Sequence, residues 1–265
     1  MDELMFKKIN LCTQKTLRMD GLIDLILPQR CALCGCICDA GFCQNCSRLL
    51  PWIEHACIQC GSHLIIPQVT STQSIAPSSS TLSSSKTRVV CGHCQLTPPP
   101  YVNSTIPFHY KPPISLQIQN LKYGGRLHLS SALGRTISAR ILQSEAPLPD
   151  IIIPIPLHWK KIFHRGFNQS SEIARVIGKQ LGVPVSMKHL SKQVDSPSQT
   201  GLDIQMRMKN IRHTFKSEIP CTGLHIALVD DVVTTGSTVR AAAEILTDYG
   251  ARRIDIWAVA KTEAV

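Results

Sequence analysis

Residues 224–250 read LHIALVDDVVTTGSTVRAAAEILTDYG, and this stretch decides the fold. A short apolar run bounded by polar residues is typical of a buried strand in a parallel sheet, which predicts a strand over 226–229. Two carboxylates, Asp230 and Asp231, follow it and are called the acidic pair below. The alanine-rich periodicity then predicts a helix over 239–249. A strand, a tight loop and a helix in this order indicate an α/β protein.

The loop between this strand and helix, called the hydroxyl loop below, combines hydroxyl groups with glycine. Its five residues are Thr234, Thr235, Gly236, Ser237 and Thr238. Free backbone N–H groups, hydroxyl donors and the positive end of a helix gather around such a loop, which favours an anion site and most simply a phosphate. Carboxylates bind sugar hydroxyls or a metal instead. Together the loop and the acidic pair predict a site for a phosphorylated sugar with a divalent cation. An ordinary turn with solvated aspartates is the alternative.

The same stretch is similar to a known ligand signature. Several hydrophobic residues, two adjacent acids and the run T-T-G-S-T at 234–238 resemble the phosphoribosyl diphosphate (PRPP) signature of type I phosphoribosyltransferases. The resemblance implies a parallel sheet flanked by helices, with PRPP and Mg²⁺ as ligands. Asp230 and Asp231 are then the candidate catalytic residues, and the hydroxyl loop is the candidate phosphate site.

The chain is basic and rich in cysteine. Its 265 residues include 28 lysines and arginines against 18 acidic residues, a formal net charge of +10, and 12 cysteines. This excess allows an anionic ligand or nucleic acid but locates no binding face. Without an apolar run of transmembrane length or a signal-peptide core, we expect a cytoplasmic protein with no membrane insertion. In a reducing compartment, repeated C-x-x-C motifs favour metal over disulfides.

Four C-x-x-C motifs lie between residues 31 and 94. They are Cys31/Cys34, Cys43/Cys46, Cys57/Cys60 and Cys91/Cys94. Four thiolates satisfy one tetrahedral Zn²⁺, so these eight cysteines predict two structural zinc ions. We favour the first motif pairing with the second and the third with the fourth, as in zinc ribbons, while the cross-braced pairing stays open. Cys36 and Cys38 crowd the first motif and could replace a ligand.

Composition divides the chain into three parts. Residues 1–30 form an N-terminal extension with a short helix, and residues 31–97 form a double zinc-ribbon module. The segment 67–88 within this module is rich in serine and threonine, which predicts a disordered insertion. Residues 101–265 alternate strands with helices, which predicts a parallel sheet with right-handed crossovers.

The carboxyl ends of parallel strands meet at one edge of a sheet, where ligands bind. A strand predicted over 151–155 ends in the basic segment 156–167, which we expect to be a loop beside the hydroxyl loop. Four of its residues are predicted to hold a diphosphate: Lys160, Lys161, Arg165 and Gly166. Arginine binds oxyanions through two N–H groups, and glycine lets the backbone come close. An exposed basic loop that binds nothing is the alternative. Further strands are predicted over 183–190 and 254–260, and a mobile loop over 191–213.

Several short runs of sequence make the resemblance specific to one family. They are LIDLILP at 22–28 followed by C-x-x-C-G, LKYGGR at 121–126, PIPLHW at 154–159, RGFNQ at 165–169 and VDDVVTTGST at 229–238. Their order resembles the ComF family of bacterial competence-related proteins. This resemblance implies a type I phosphoribosyltransferase-like domain behind a zinc module, and an association with natural transformation, the uptake of external DNA. It also implies that the acidic pair binds the ribose hydroxyls and that the hydroxyl loop binds the 5′-phosphate. Lys122 is then expected to bind a further part of PRPP.

Three functions stay open at this point. The first is a phosphoribosyltransferase that displaces diphosphate from the ribose C1 with an unknown acceptor. The second is a sensor that binds PRPP or a nucleotide without turnover. The third is a single-stranded DNA-binding competence factor in which the zinc module and the basic surface contact DNA, with other competence proteins as partners.

Overall fold

The computed structural model describes residues 30–38, 41–65, 89–193 and 214–263 of the chain. Its helices are α1 (Gln44–Ser47), α2 (Gly92–Leu96), α3 (Ile114–Tyr123), α4 (His128–Gln143), α5 (Trp159–Arg165), α6 (Gln169–Leu181) and α7 (Ser237–Asp248). Its strands are β1 (Asn103–Thr105), β2 (Phe108–His109), β3 (Ile151–Pro154), β4 (Ser191–Lys192), β5 (Phe215–Lys216), β6 (His225–Val233) and β7 (Arg253–Lys261). The predicted α/β class, with a cysteine-rich module before it, is confirmed.

Five strands form one parallel sheet in the order β1, β7, β6, β3, and β2 pairs with β7 beyond the end of β1. The register places Val229 of β6 between Pro154 of β3 and Trp257 of β7. Strand β3 ends there, whereas β6 and β7 continue to Val233 and Lys261. The carboxyl end of β6, which carries the acidic pair, therefore projects beyond its neighbour β3.

Alternate residues of β6 pack on opposite faces of the sheet. Ala227 and Val229 belong to the core that contains the buried residues of α3, α4 and α6. Ile226 and Leu228 belong to the core formed with α7. Because both faces are covered, β6 is apolar from Ile226 to Val229, as the sequence predicted. The polar residues that follow this apolar run are those at the projecting carboxyl end of the strand.

The cysteine-rich part shares a core with the sheet. Phe42 belongs to the same buried cluster as Phe108 of β2, and the ring centroids of Trp52 and Phe108 are 4.5 Å apart. The backbone N–H of Ile53 donates to the carbonyl of Pro107 at 2.9 Å. Aromatic packing and backbone hydrogen bonds thus join the two parts into one packed body.

The basic segment 156–167 is not a loop throughout, because it contains helix α5. The side chain of His158 accepts a hydrogen bond from the backbone N–H of Lys160 at 3.4 Å and caps the start of this helix. Gly166 ends it with a φ of +80°, a left-handed conformation that glycine adopts without strain. The prediction of a loop was wrong because a histidine cap was not recognised in a strongly basic run.

Two further predictions differ from the structure. The predicted strand over 183–190 reduces to one parallel bridge between Val185 and Ile152, and regular pairing begins only at β4. The acidic pair does not follow its strand but lies within it. Strand β6 extends to Val233 because β7 continues beside it, with Val233 opposite Lys261. Helix α7 likewise begins at Ser237, two residues earlier than predicted.

Three predicted segments fall wholly or mainly outside the described residues. They are the N-terminal helix within 1–30, the insertion 67–88 and most of the loop 191–213. Among the described residues, none of the helices is long and apolar enough to cross a membrane.

Candidate functional site

The acidic pair is held at the carboxyl edge of the sheet by strand β6 and helix α6. Oδ1 of Asp230 accepts hydrogen bonds from Oγ of Ser170 at 3.1 Å and from the backbone N–H of Asp231 at 2.8 Å. Ser170 is the second residue of α6, so the first turn of this helix reaches the edge of the sheet. Asp231 is only 8% exposed. Two adjacent carboxylates are therefore confined where β6 projects beyond β3.

This confinement changes the acidity of Asp230. Burial, and after it the neighbouring carboxylate of Asp231, raise the pKa of Asp230 to about 7. Hydrogen bonds from Asp231 and Ser170 and the charge of Lys122 act in the opposite direction. A carboxyl group with a pKa near neutrality exchanges its proton under ordinary conditions, so Asp230 can serve as a proton acceptor as well as a hydrogen-bond partner.

Lys122 lies directly at the acidic pair. Its Nζ is 2.8 Å from Oδ2 of Asp231, and the two side chains are 21% and 12% exposed. The lysine belongs to the last turn of α3, which ends at Tyr123 and has Gly124 as its C-cap. A partly buried ammonium group beside two carboxylates compensates one of their charges. The structure thus brings the predicted PRPP-binding lysine and the candidate catalytic residues together.

The hydroxyl loop joins β6 to α7. Gly236 has a φ of +82° and precedes the helix, while Ser237 and Thr238 are its first two residues. Thr235 Oγ1 donates to Ser237 Oγ at 3.0 Å, and the backbone N–H of Ser237 lies 3.4 Å from Thr235 Oγ1. Thr234 and Thr235 are exposed. Since the first N–H groups of a helix have no acceptor within it, donors cluster here at the same sheet edge as the acidic pair.

The predicted zinc ligands fall into two groups. The first cysteine cluster contains Cys31, Cys34, Cys36 and Cys43, whose Sγ atoms all lie within 4.8 Å of one another. The predicted ligand Cys46 lies outside this compact set, although its side chain interacts with those of Cys34, Cys43 and Cys31, and it is counted with the cluster below. The second cysteine cluster contains Cys57, Cys60, Cys91 and Cys94, also within 4.8 Å of one another. The structure therefore brings together the sequential pairs of motifs and not the cross-braced pairs, with Cys36 in the first compact set where Cys46 was predicted.

Two buried side chains connect the hydroxyl loop with the second cysteine cluster. Nζ of Lys261 donates to the carbonyl oxygen of Thr234 at 3.4 Å. Burial lowers the pKa of Lys261, and the thiolates of the second cluster oppose this change. The hydroxyl of Tyr101 lies 3.7 Å from the position that a Cβ would take at Gly236, and burial raises the pKa of Tyr101 to about 12. Lys261 thus contacts the start of the hydroxyl loop and interacts electrostatically with the second cysteine cluster.

The lysines predicted to hold a diphosphate lie in the first turn of α5. This helix follows β3 and so begins at the same sheet edge as the acidic pair. Lys160 Nζ lies 5.8 Å from the ring centroid of Trp159. Lys160 is exposed and Lys161 is half-buried. The structure shows Lys160 against an exposed indole, and the diphosphate role of both lysines stays a prediction.

Arg165 and Gly166 end the same helix. The guanidinium of Arg165 lies over the ring of Tyr123, 4.9 Å from its centroid, and Nη2 donates to the Tyr123 hydroxyl at 3.1 Å. Nη1 of Arg165 lies 3.5 Å from Oε1 of Gln169. Because Tyr123 follows Lys122 in α3, Arg165 is linked to the element that carries the ammonium group of the site. The end of α5 is thus connected through Tyr123 to the helix whose Lys122 pairs with Asp231.

Two family models match the chain. The model of the phosphoribosyl transferase domain matches residues 162–264, and the model of the double zinc ribbon domain matches residues 22–95. The first match contains the acidic pair and the hydroxyl loop, and the second contains both cysteine clusters.

Several curated proteins are similar over most of their length. The DNA utilization protein YhgH of Salmonella typhi is 30% identical over 245 residues, which cover 90% of this chain and 99% of that protein. The protein of the same name from Shigella flexneri is also 30% identical over 245 residues. Competence protein F of Haemophilus influenzae is 30% identical over 181 residues, which cover 64% of this chain and 78% of that protein. The chain belongs to the ComF family.

Solved structures resemble parts of this ComF-family chain. The glutamine PRPP amidotransferase from B. subtilis, complexed with ADP and GMP, has a TM-score of 0.35 and 18% identity over 49% of this chain and 25% of that chain. The purine phosphoribosyltransferase from Pyrococcus horikoshii Ot3 has a TM-score of 0.31 and 14% identity over 56% of this chain and 85% of that chain. The fold assignment rests on the sheet topology and the family models.

Two cysteine clusters and the match to a double zinc ribbon support structural zinc in this ComF-family protein. The donor set fits the metal, because four thiolates in reach of one point satisfy a tetrahedral Zn²⁺. Such closed sites stabilise a fold and leave no position for a substrate.

The sequence analysis of this ComF-family chain missed several residues that form the site. Ser170 follows the RGFNQ run and donates to Asp230, and Asn168 caps α6 by accepting from the backbone N–H of Ser170 at 3.1 Å. Asparagine before a helical run is a recognisable cap signal, so the position of Ser170 near the start of α6 could have been predicted from the sequence. Lys261 and Tyr101 carry no such signal, because only the tertiary fold brings them to the hydroxyl loop.

Proposed function

We propose that this protein binds PRPP with a divalent cation at the carboxyl edge of its sheet, as a phosphoribosyltransferase that serves DNA utilisation. One observation carries the proposal. The confined acidic pair lies in β6, and the hydroxyl loop follows this strand directly and leads into α7. Both therefore lie at the edge of the sheet where α/β proteins bind ligands. The names of the relatives, DNA utilization protein and competence protein, support the cellular role.

Each group has a distinct task in this proposal. The ribose hydroxyls donate to the carboxylates of Asp230 and Asp231, and the 5′-phosphate accepts from the amides and hydroxyls of the hydroxyl loop. Gln169 is 1% exposed, and its Nε2 has no hydrogen-bond partner among the residues that the structure describes. A ligand oxygen beside Arg165 would satisfy this buried donor, which supports an anion near the end of α5.

Carboxylate oxygens are hard donors that suit Mg²⁺, so the acidic pair fits the expected cation. When bound, Mg²⁺ neutralises charge on the leaving diphosphate. In the reaction, the bond between the ribose C1 and a diphosphate oxygen breaks and a bond from C1 to the acceptor forms. In this proposal Asp230 takes a proton from the acceptor, and its pKa near neutrality supports that role. A sensor would bind PRPP through the same contacts but would not transfer the ribose to an acceptor.

Titration calorimetry with PRPP and Mg²⁺ tests the binding. The variant Asp230→Asn/Asp231→Asn should weaken PRPP binding about tenfold or more, because hydrogen bonds to charged groups contribute about 1.5–3 kcal/mol each. The control is Asp248→Asn, an exposed aspartate at the far end of α7. Absence of binding by the wild-type protein would reject the proposal. Consumption of bound PRPP with a panel of nucleobases then separates a transferase from a sensor.

A second function, binding of single-stranded DNA, is favoured by the surface of α5. Trp159 and Phe163 are 65% and 89% exposed, and Lys160 and Lys161 lie between them. Bases stack on exposed aromatic rings while lysines contact phosphates, which gives sequence-independent binding. The fluorescence anisotropy of a labelled oligothymidylate should show affinity that falls steeply with salt. The variant Trp159→Ala/Phe163→Ala should weaken it, whereas Tyr249→Ala, at the far end of α7, should not.

A further inference from the structure

The first cysteine cluster holds more thiols than one zinc ion binds. Its Sγ atoms from Cys31, Cys34, Cys36 and Cys43 already form a compact set, and the side chain of Cys46, outside that set, interacts with those of Cys34, Cys43 and Cys31. A structural zinc site is closed with four ligands. Five thiols therefore compete for four positions, and one thiol stays uncoordinated when the site is loaded.

The second cysteine cluster shows which thiol is the additional one. In the first cluster the backbone N–H of Cys43 donates to Sγ of Cys31 at 3.3 Å, and in the second the N–H of Cys91 donates to Sγ of Cys57 at 3.3 Å. The Sγ–Sγ distance between the second cysteine of one motif and the first of the next is 3.7 Å in both clusters. The two ribbons are therefore built alike, and Cys46 occupies the place that Cys94 has in the second.

The counterpart of Cys36 in the second ribbon is a serine. Both residues come two positions after the second cysteine of a C-x-x-C motif, behind a glycine with positive φ. The Oγ of Ser62 lies 3.2 Å from Sγ of Cys60, so this position reaches the metal ligands in the second ribbon too. Only in the first ribbon does the position carry a thiol, which is a zinc ligand where a serine hydroxyl is not.

Exposure also differs between the two clusters. Cys34 and Cys36 are exposed and Cys46 is half-buried, whereas Cys57 and Cys94 are buried. An incoming thiol and a departing one both need solvent for the proton that they exchange. The first cluster meets this requirement, while in the second no cysteine is exposed and no fifth thiol joins it among the residues that the structure describes.

We propose that Cys36 and Cys46 alternate as the fourth zinc ligand of the first cluster, so that the zinc-loaded protein always presents one free nucleophilic thiol there. In the exchange, the bond from zinc to one sulfur breaks and a bond to the other forms. The incoming thiol releases its proton, and the departing thiolate takes one up, so the charge of the site is unchanged. The free thiol is a target for thiol-directed electrophiles and disulfides that leave the metal in place.

Zinc content and alkylation of the native protein test this exchange. Wild type, Cys36→Ser and Cys46→Ser should each retain about two zinc ions per chain, and Cys36→Ser/Cys46→Ser should retain about one. The matched control Cys94→Ser should lose one zinc ion, because none of the described residues supplies a spare thiol to the second cluster. Iodoacetamide should label the wild-type protein at Cys36 in some molecules and at Cys46 in others, with about one label on these two cysteines per chain. Peptide masses distinguish labels on Cys36 and Cys46 from labels on other cysteines. In each single variant the remaining thiol of the pair should be protected.

Several results would overturn the exchange. Loss of zinc from Cys46→Ser alone would show that Cys36 is not a competent ligand, and loss from Cys36→Ser alone would show a fixed set without Cys46. Labelling of only one thiol of the pair in the wild type would show that the ligands do not alternate. Retention of two zinc ions by the double variant would assign the position to another residue. In the variants of Cys36 and Cys46, zinc in the second cluster reports that the chain has folded.

Discussion

Nζ of Lys122 lies 2.8 Å from Oδ2 of Asp231, and this ion pair joins the last turn of α3 to the acidic pair in β6. Lys111 and Glu263 form an ion pair of the same length, but with side chains 56% and 49% exposed. Exposed pairs contribute little, whereas a mostly buried charge acts strongly on its neighbours. The two lysines therefore form a matched comparison of a site contact with a surface contact.

The first prediction concerns Lys122. The variant Lys122→Gln should weaken binding of PRPP with Mg²⁺ by about tenfold, because it removes a cation from a site that receives a multiply charged anion. Lys111→Gln should leave the affinity unchanged. Calorimetry at fixed salt measures both. Equal or tighter binding by Lys122→Gln would mean that the lysine blocks Asp231 in the free protein instead of holding the ligand.

The second prediction concerns the stability cost of Asp230. Its pKa is raised to about 7 by burial and by Asp231, so the folded state holds this proton more tightly than the unfolded state, where the ordinary value is about 4. Stability should therefore fall as pH rises from about 4 to 7 and stay lower above that range. In Asp230→Asn the amide oxygen can still accept from Ser170 and the Asp231 N–H, without this penalty.

Thermal unfolding across this pH range measures the difference. At pH 8, Asp230→Asn should melt a few degrees above wild type, at roughly 2–4 °C per kcal/mol for a domain of this size. The gap should close towards pH 4, where both forms are uncharged at this position. The exposed control Asp248→Asn should follow the wild-type curve. Parallel curves for wild type and Asp230→Asn would show that the carboxyl group is not strained by its surroundings.

Local sequence patterns were sufficient for the central strand and its loop. The apolar run before Asp230 reflects burial on both faces of the sheet, and Gly236 occupies the left-handed position before α7 that the loop requires. The cysteine spacing was sufficient to predict two metal groups and the second set of four cysteines, but it did not predict Cys36 in the first compact set. These features depend on residues that are close in the chain, which is why they can be predicted from the sequence.

Other parts of the site depend on contacts between distant residues. Lys261 lies 27 positions from Thr234, and Ser170 lies 60 positions from Asp230, so no local pattern connects them. The short strands β1 and β2 were missed for a similar reason, since they are defined only by pairing with β7. Lys122 was predicted as a ligand-binding residue from the resemblance to a family. Its contact with Asp231 became visible only in the folded structure.

The third prediction concerns Lys261. Its buried ammonium group donates to the carbonyl oxygen of Thr234, which fixes the start of the hydroxyl loop. Lys261→Met keeps the length of the side chain but removes the donor, so we expect about fivefold weaker PRPP binding from a loop that is less well ordered. Zinc content should stay as in the wild type. The control Lys216→Met changes a lysine that pairs with Glu218 on the surface. Unchanged affinity in Lys261→Met would limit its role to packing.

The fourth prediction separates backbone strain from packing at the first zinc ribbon. Gly35 and Gly41 have φ values of +75° and +82°, so alanine at either position costs about 1–2 kcal/mol through its left-handed backbone. At Gly35 a Cβ would meet nothing within 4 Å, whereas at Gly41 it would lie 2.6 Å from the Cα of Ala132 in α4. Backbone atoms of a helix cannot move aside as a flexible side chain can.

Gly41→Ala should therefore destabilise the protein by about 1–3 kcal/mol more than Gly35→Ala, the typical cost of overpacking a close contact. Chemical denaturation of both zinc-loaded variants measures the difference. Because Gly41 is the point where the first ribbon touches α4, its alanine variant should also release zinc faster to a chelator. Equal losses of stability in the two variants would mean that the ribbon shifts on the helix at no cost, and that the shared core around Phe42 does not fix its position.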